Sequence, residues 1–148
     1  MRADFSLYDL INWTNVQTIF TERADLLARW SWDIETAVLE RELAVSVFAG
    51  FQYIRRIQRV LERHQQIAER STVMVFGVPD NTLDLHELRL TALAPGDALV
   101  QEWFLIVQHP DYSRALIARE IEPRRFHGIL TSDPVQVERF YSALMVYA

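Results

Sequence analysis

The sequence predicts an α+β fold, in which an antiparallel sheet of about four to five strands packs one face against N-terminal helices and a C-terminal helix. Three observations carry this expectation. Apolar residues recur at helical spacing up to about residue 70, short β-branched and apolar runs separated by turn residues follow from Ser71 onward, and the two patterns do not alternate as βαβ units would.

The first helix is expected from Thr14, which can act as N-cap with Gln17 completing a capping-box pattern, and Val16, Ile19, Phe20, Ala24 and Leu27 would line its apolar face. Trp30-Ser31-Trp32 interrupts the pattern, and Ser31 is placed to cap a second helix that turns Ile34, Val38, Leu39 and Leu43 inward. The β-rich stretch from Val45 to Phe51, with Gly50 near its end, reads as a short edge strand or an extended connector. A third helix is expected from Tyr53 to Arg70, where Tyr53, Ile57, Val60, Leu61, His64 and Ile67 share one face.

From Thr72 to Phe76 the apolar run is short and stops at Gly77-Val78-Pro79-Asp80-Asn81, as a buried strand entering a loop would. Further strands are expected at Leu88 to Leu93, Trp103 to Gln108, about Ser113 to Glu120, and Arg125 to Leu130, divided by Ala94-Pro95-Gly96-Asp97 and His109-Pro110-Asp111-Tyr112. Asp133 as N-cap, Pro134 in the first turn and Gln136 at N3 open a closing helix that carries Val137, Phe140, Tyr141 and Leu144.

Composition narrows the chemistry. A chain of 148 residues that is 50% apolar suffices for one domain with a core, so residues 1–148 are expected to form a single unit. The formal charge of −5 disfavours a general attraction to nucleic acid or anionic lipid. Cysteine is absent and every basic side chain is arginine, which removes thiolate chemistry, thioether-linked chromophores and lysine Schiff bases. The N-terminal stretch lacks the apolar run of a signal peptide or membrane anchor, and a cytoplasmic location without membrane insertion is the expectation.

Several segments together resemble the DICT domain, the sensory domain named for diguanylate cyclases and two-component systems. They are Ser46-Val47-Phe48-Ala49-Gly50-Phe51-Gln52, Val73 to Asp80, Leu99 with Glu102 to Val107, and Arg125 to Asp133, and the likeness spans roughly Asp33 to the C-terminus. The resemblance implies a non-catalytic module that works with an output partner, a cyclic-di-nucleotide enzyme or a histidine kinase, on a light-linked or other cytoplasmic signal. It supplies no catalytic residue. The cofactor stays unknown, and the chain is either a stand-alone adaptor or an excised sensor.

The residues themselves offer few reactive groupings. No two of His64, His86, His109 and His127 stand at the spacing of paired metal ligands, so no metal is expected, and His64 reads as a hydrogen-bonded core histidine. No nucleophile motif is present. Glu102, entering an apolar strand, is expected to meet Arg125 or Arg124 across the sheet, either as a ligand contact or as an internal salt bridge. Arg56, Arg59 and Arg63 form a helical stripe suited to phosphate or an acidic partner, with a solvated, ion-paired face as the plainer alternative. Phe48, Phe51 and Gln52 with Trp103 mark candidate ligand ground, because Gly50 would let a ligand or another backbone approach Phe51, although such aromatic residues also make ordinary core. Ile19, Phe20, Leu27 and Trp30 on the first helix are expected to pair with a second copy in a homodimer. Two functional classes follow, a sensor that relays small-ligand or partner binding and an interaction adaptor without a ligand. A small enzyme using Glu102 and the Arg124-Arg125 pair is the remaining alternative.

Overall fold

The computed structural model describes residues 2–16 and 18–148. After short 3-10 turns at Arg2–Asp4, Tyr8–Leu10 and Trp13–Asn15 come strand β1 (Thr18–Arg23), helix α1 (Ala24–Glu40) and strand β2 (Ser46–Tyr53). A 3-10 segment (Ile54–Val60) leads into α2 (Leu61–Ala68), then β3 (Thr72–Val78) and β4 (Arg89–Ala92). A further 3-10 turn precedes β5 (Glu102–Gln108), β6 (Arg114–Glu122), β7 (Arg125–Thr131) and α3 (Pro134–Tyr147).

The α+β class holds, but the sheet is larger and of a different kind than expected. It has seven strands in the order β1-β7-β6-β5-β2-β3-β4. β2 and β3 pair in parallel, as do β3 and β4, while the remaining pairs are antiparallel. The parallel pair β2–β3 requires a crossover, which the 3-10 segment and α2 provide.

Both faces of the sheet are covered, not one. Val47, Ala49, Val75, Leu105 and Leu116 point to the side packed by α1 and α2, whose Leu27, Ile34, Val38 and Ile67 complete that core. Their strand neighbours Phe48, Phe76, Phe104, Ile106 and Ile117 point the other way, onto α3 and the N-terminal segment through Val137, Phe140, Leu144 and Leu7. The nearly continuous apolar runs of β2, β3 and β5 follow from this double burial.

Four early expectations change. The segment expected to begin a helix at Thr14 instead holds a 3-10 turn, in which Asn12 accepts from the Thr14 backbone N–H at 3.3 Å, followed by β1; Gln17 lies outside the described residues. Ile19 and Phe20 therefore sit on an edge strand paired with β7, a partner that no local periodicity reveals. Ser31 caps nothing, because α1 runs unbroken through it. β2 is an interior strand between β5 and β3, not an edge or connector. The helix expected from Tyr53 begins as 3-10 and becomes α-helical only at Leu61. The closing helix is as expected, with Asp133 Oδ1 accepting from the Val135 N–H at 3.0 Å and Pro134 at its start.

Gly50 has a task the sequence did not suggest. A Cβ there would run into the Phe104 ring across the β2–β5 pair, so the missing side chain makes room for core. No helix among the described residues is long and apolar enough to cross a membrane.

Candidate ligand-binding site

Helix α1 places Ala24, Ala28, Ser31 and Glu35 along one face, at spacings of four, three and four residues. Three of these four side chains are small. They leave a cleft of about 870 Å³ between α1 and the 3-10–α2 crossover, with β2 and β5 as its floor. That volume is within the range of small-molecule sites.

The floor owes its composition to a bulge. Strict alternation would send Phe51 and Gln52 to opposite faces, but the β2–β3 register shifts between Gly50 and Tyr53 and Gln52 takes φ 65°. Both residues thereby line the cleft. The Gln52 side chain, on a residue only 3% exposed, is engaged through both its nitrogen and its oxygen. Its Nε2 donates to Glu120 Oε1 at 3.0 Å, and its Oε1 accepts from the guanidinium groups of Arg124, at 3.0 Å, and Arg56.

Arg124 comes from the β6–β7 turn, where Pro123 precedes it and its own φ is 59°, as at the third position of a type II turn. Its backbone N–H donates to Glu120 Oε2 at 2.6 Å and its carbonyl accepts from Ala24 N–H at 3.0 Å, which fixes the turn against the start of α1. The guanidinium lies 5.8 Å from the Trp103 ring centre and 5.5 Å from that of Phe126. Burial, followed by the neighbouring Arg56 cation, holds its pKa below the ordinary arginine value, while Glu120 opposes the shift.

At the far end, Glu35 accepts from Arg63 Nε at 3.0 Å, and Arg63 also bonds the Trp32 carbonyl at 2.9 Å and covers the Trp32 ring at 3.5 Å. His64 is fully buried and meets Phe51 edge-on at 5.5 Å. Its Nε2 stands 3.1 Å from Glu35 Oε2 without the alignment of a hydrogen bond, and its Nδ1 has no partner among the described residues. The expectation of a core histidine is met in position, but not in hydrogen bonding.

The structure divides the residues singled out from sequence. Phe51, Gln52, Trp103, Arg56 and Arg59 line the cleft. Arg63 is turned to Glu35, so the arginine stripe is shared between cleft and ion pair. Phe48 faces away and stacks on Tyr141 at 5.0 Å. Glu102 also faces away, because it precedes Trp103 on the same strand. Neither Arg124 nor Arg125 reaches it: Arg119, directly opposite on β6, stands at 3.8 Å, and the carboxylate accepts from Ser6 Oγ at 2.6 Å and from the Leu7 and Tyr8 backbone N–H groups at 3.0 Å each. Arg125 is exposed and pairs with Glu122 at 3.4 Å. Of the expected dimer face, Phe20 and Leu27 are in the core, Trp30 packs edge-on against Phe20 at 4.8 Å, and Ile19 is 53% exposed on β1.

Sequence reasoning named Arg124 as a partner for Glu102 and, paired with Arg125, as part of a possible enzyme site, and it missed Ala24 and Ala28 as cleft residues. The small-residue spacing along α1 was the available signal, hidden when the helix was divided at Ser31. That hydroxyl instead accepts from Trp103 Nε1 at 3.2 Å inside the cleft. Among the described residues no group of three or more His, Asp or Glu is placed to hold a metal ion.

No curated protein and no solved structure matches the chain. Residues 4–121 match the family DICT, described as a sensory domain in diguanylate cyclases and two-component systems. The match takes in the N-terminal segment and β1, ahead of the likeness seen from Asp33, and ends before β7, so Arg125 to Asp133 lies beyond it. It covers α1, β2, the crossover and β5, the elements that build most of the cleft, and the chain belongs to the DICT family of sensory domains.

Proposed function

We propose that this sensory domain takes its signal as a small molecule in the cleft between α1 and the sheet, and relays occupancy through α1 and the 3-10–α2 crossover to an output domain of the cyclase or two-component type. The observation that carries this reading is Gln52. A non-glycine residue with a left-handed backbone, buried at a bulge, gathers side chains from three elements at one wall of an otherwise open cleft. Such strain is maintained where the surrounding contacts over-determine it, and here those contacts organise the cleft. The walls come from separate elements, α1 on one side and the crossover on the other, so a ligand that touches both biases their relative position.

A thermal-shift screen of metabolite-extract fractions tests the reading, with Ala28→Trp as the variant that fills the cleft. A fraction that raises the melting temperature of the natural chain and leaves Ala28→Trp unmoved supports it. Stabilisation of both proteins to the same extent would place the ligand elsewhere, and stabilisation only by an added signalling protein would favour an adaptor.

A further inference from the structure

The cleft has two chemically different ends and an apolar middle. At one end Arg56 and Arg124 direct their guanidinium groups at the same neutral acceptor, Gln52 Oε1. Of the carboxylates around the cleft, Glu120 has one oxygen taken by Gln52 Nε2 and the other by the Arg124 backbone N–H, and Asp25, on the cleft wall, stands 4.0 Å from Arg23. Arg59 lines the same cleft, exposed, without an ion pair among the described residues. The other arginines nearby are closed, Arg55 by Asp80 at 2.6 Å and Arg63 by Glu35 at 3.0 Å. Two cations held together over an uncharged amide is an arrangement completed by an anion, which guanidinium groups bind with paired, charge-assisted hydrogen bonds.

At the other end is His64, fully buried, with Nδ1 unpartnered among the described residues. Buried polar atoms are nearly always satisfied in a finished site, so an orphaned imidazole nitrogen in a cleft wall marks a position for a ligand's polar group. The first end is tied to Ala24 and the second to Glu35, and the helix between them advances about 16 Å. Ala28, Ala49, Phe51, Trp103 and Leu105 provide apolar surface along the way.

We infer that the cleft binds a small organic anion, its carboxylate or phosphate held between Arg56 and Arg124, its body against Phe51 and Trp103, and a polar group at its far end reaching His64. The inference rests on the cleft being the signal site and adds the chemical class of the signal. It also supplies a relay: Arg56 belongs to the crossover and Arg124 to the β6–β7 turn, so one bound acid group draws two elements onto a common point.

Calorimetric titration of the full chain with matched probes tests this. Indole-3-acetate is compared with indole-3-acetamide, phenyl phosphate with phenol, and inorganic phosphate is titrated alone. The expected result is binding by at least one of the organic acids, at least tenfold weaker or absent for its neutral counterpart, and weakened at least tenfold by Arg56→Gln or Arg124→Gln. The carboxylate and phosphate arms separate the two acid types. Arg59→Gln, at an exposed position that cannot jeopardise folding, is expected to weaken the same acid by a smaller factor and to lessen its dependence on salt. Equal binding of acid and neutral partner, unaltered acid binding by both the Arg56 and Arg124 variants, binding of inorganic phosphate alone, or no binding by any acid would overturn the assignment. Neutral compounds whose binding Ala28→Trp abolishes would leave the signal site standing and remove only the anion. Acid binding untouched by Ala28→Trp would remove both.

Discussion

The Arg124 guanidinium donates to the Gln52 side-chain carbonyl at 3.0 Å, and both residues carry left-handed backbones, φ 59° and 65°. A bulge on β2 and a turn between β6 and β7 thus present their two non-glycine, positive-φ residues to each other at one wall of the cleft.

Left-handed backbone disfavours any residue with a Cβ, by about 1 to 2 kcal/mol. Gln52→Ala retains that cost and loses the side-chain bonds, whereas Gln52→Gly loses the bonds and is relieved of the strain. Urea denaturation should find Gln52→Gly more stable than Gln52→Ala by about 1 kcal/mol. Equal stabilities would speak against a left-handed Gln52.

Adjacent residues on α1 should behave in opposite ways. Leu27 is fully buried in the core beneath the helix, and its truncation to Ala should cost about 2 to 5 kcal/mol. Ala28 borders open cleft, so Ala28→Leu should change stability by less than about 1 kcal/mol. Thermal or urea unfolding of the two variants measures the contrast, and a large loss for Ala28→Leu would mean that the cleft is closed in solution.

Glu35 and Arg63 form a pair with little exposure on either side chain, 6% and 15%. Arg63→Ala leaves the carboxylate buried without its main partner and should cost about 3 kcal/mol or more. Adding Glu35→Gln to that variant should recover part of the loss. A double-mutant cycle reads the coupling, and strict additivity would show that the pair is not formed.

Glu102 makes the fold respond to pH. Burial raises its pKa above the ordinary 4.5, against the lowering effects of the bonds from Ser6, Tyr8 and Leu7 and of the Arg119 charge. The folded chain therefore holds this proton more readily than the unfolded chain does. Its contribution is fully present below about pH 4.5 and is lost as pH rises through the elevated native value. Glu102→Gln removes the titration. Unfolding free energies at pH 7, 6 and 5 should show the natural chain gaining on the variant as pH falls, and a constant difference or a gain in the opposite direction would contradict the elevated value.

How legible these features were in the sequence depended on the range of the interaction that produced them. Strands from Thr72 onward and the Asp133-capped helix follow from local turns and caps, and they stand where those signals put them. β1 was misread because Ile19, Phe20 and Ala24 happen to fit a helical face, while the pairing that makes Thr18–Arg23 a strand involves residues more than a hundred positions away. β2 looked peripheral because Gly50 suggested an end, yet that glycine clears space for Phe104 in the middle of the sheet. At the site, aromatic residues and arginines were visible by type, but alternation along β5 separates Glu102 from Trp103, and only the assembled β6–β7 turn selects Arg124 over Arg125. The left-handed backbone of Gln52 has no local sequence signature, since the residue is neither glycine nor asparagine, and Pro123 marks a turn before Arg124 without fixing its type.

Native mass spectrometry of the chain after incubation with a cell extract tests the central claim most directly. The account predicts a non-covalent small-molecule adduct on the natural chain that is absent from Ala28→Trp and reduced in Arg124→Gln. An adduct retained in full by Ala28→Trp, or none on any of the three proteins, would contradict it.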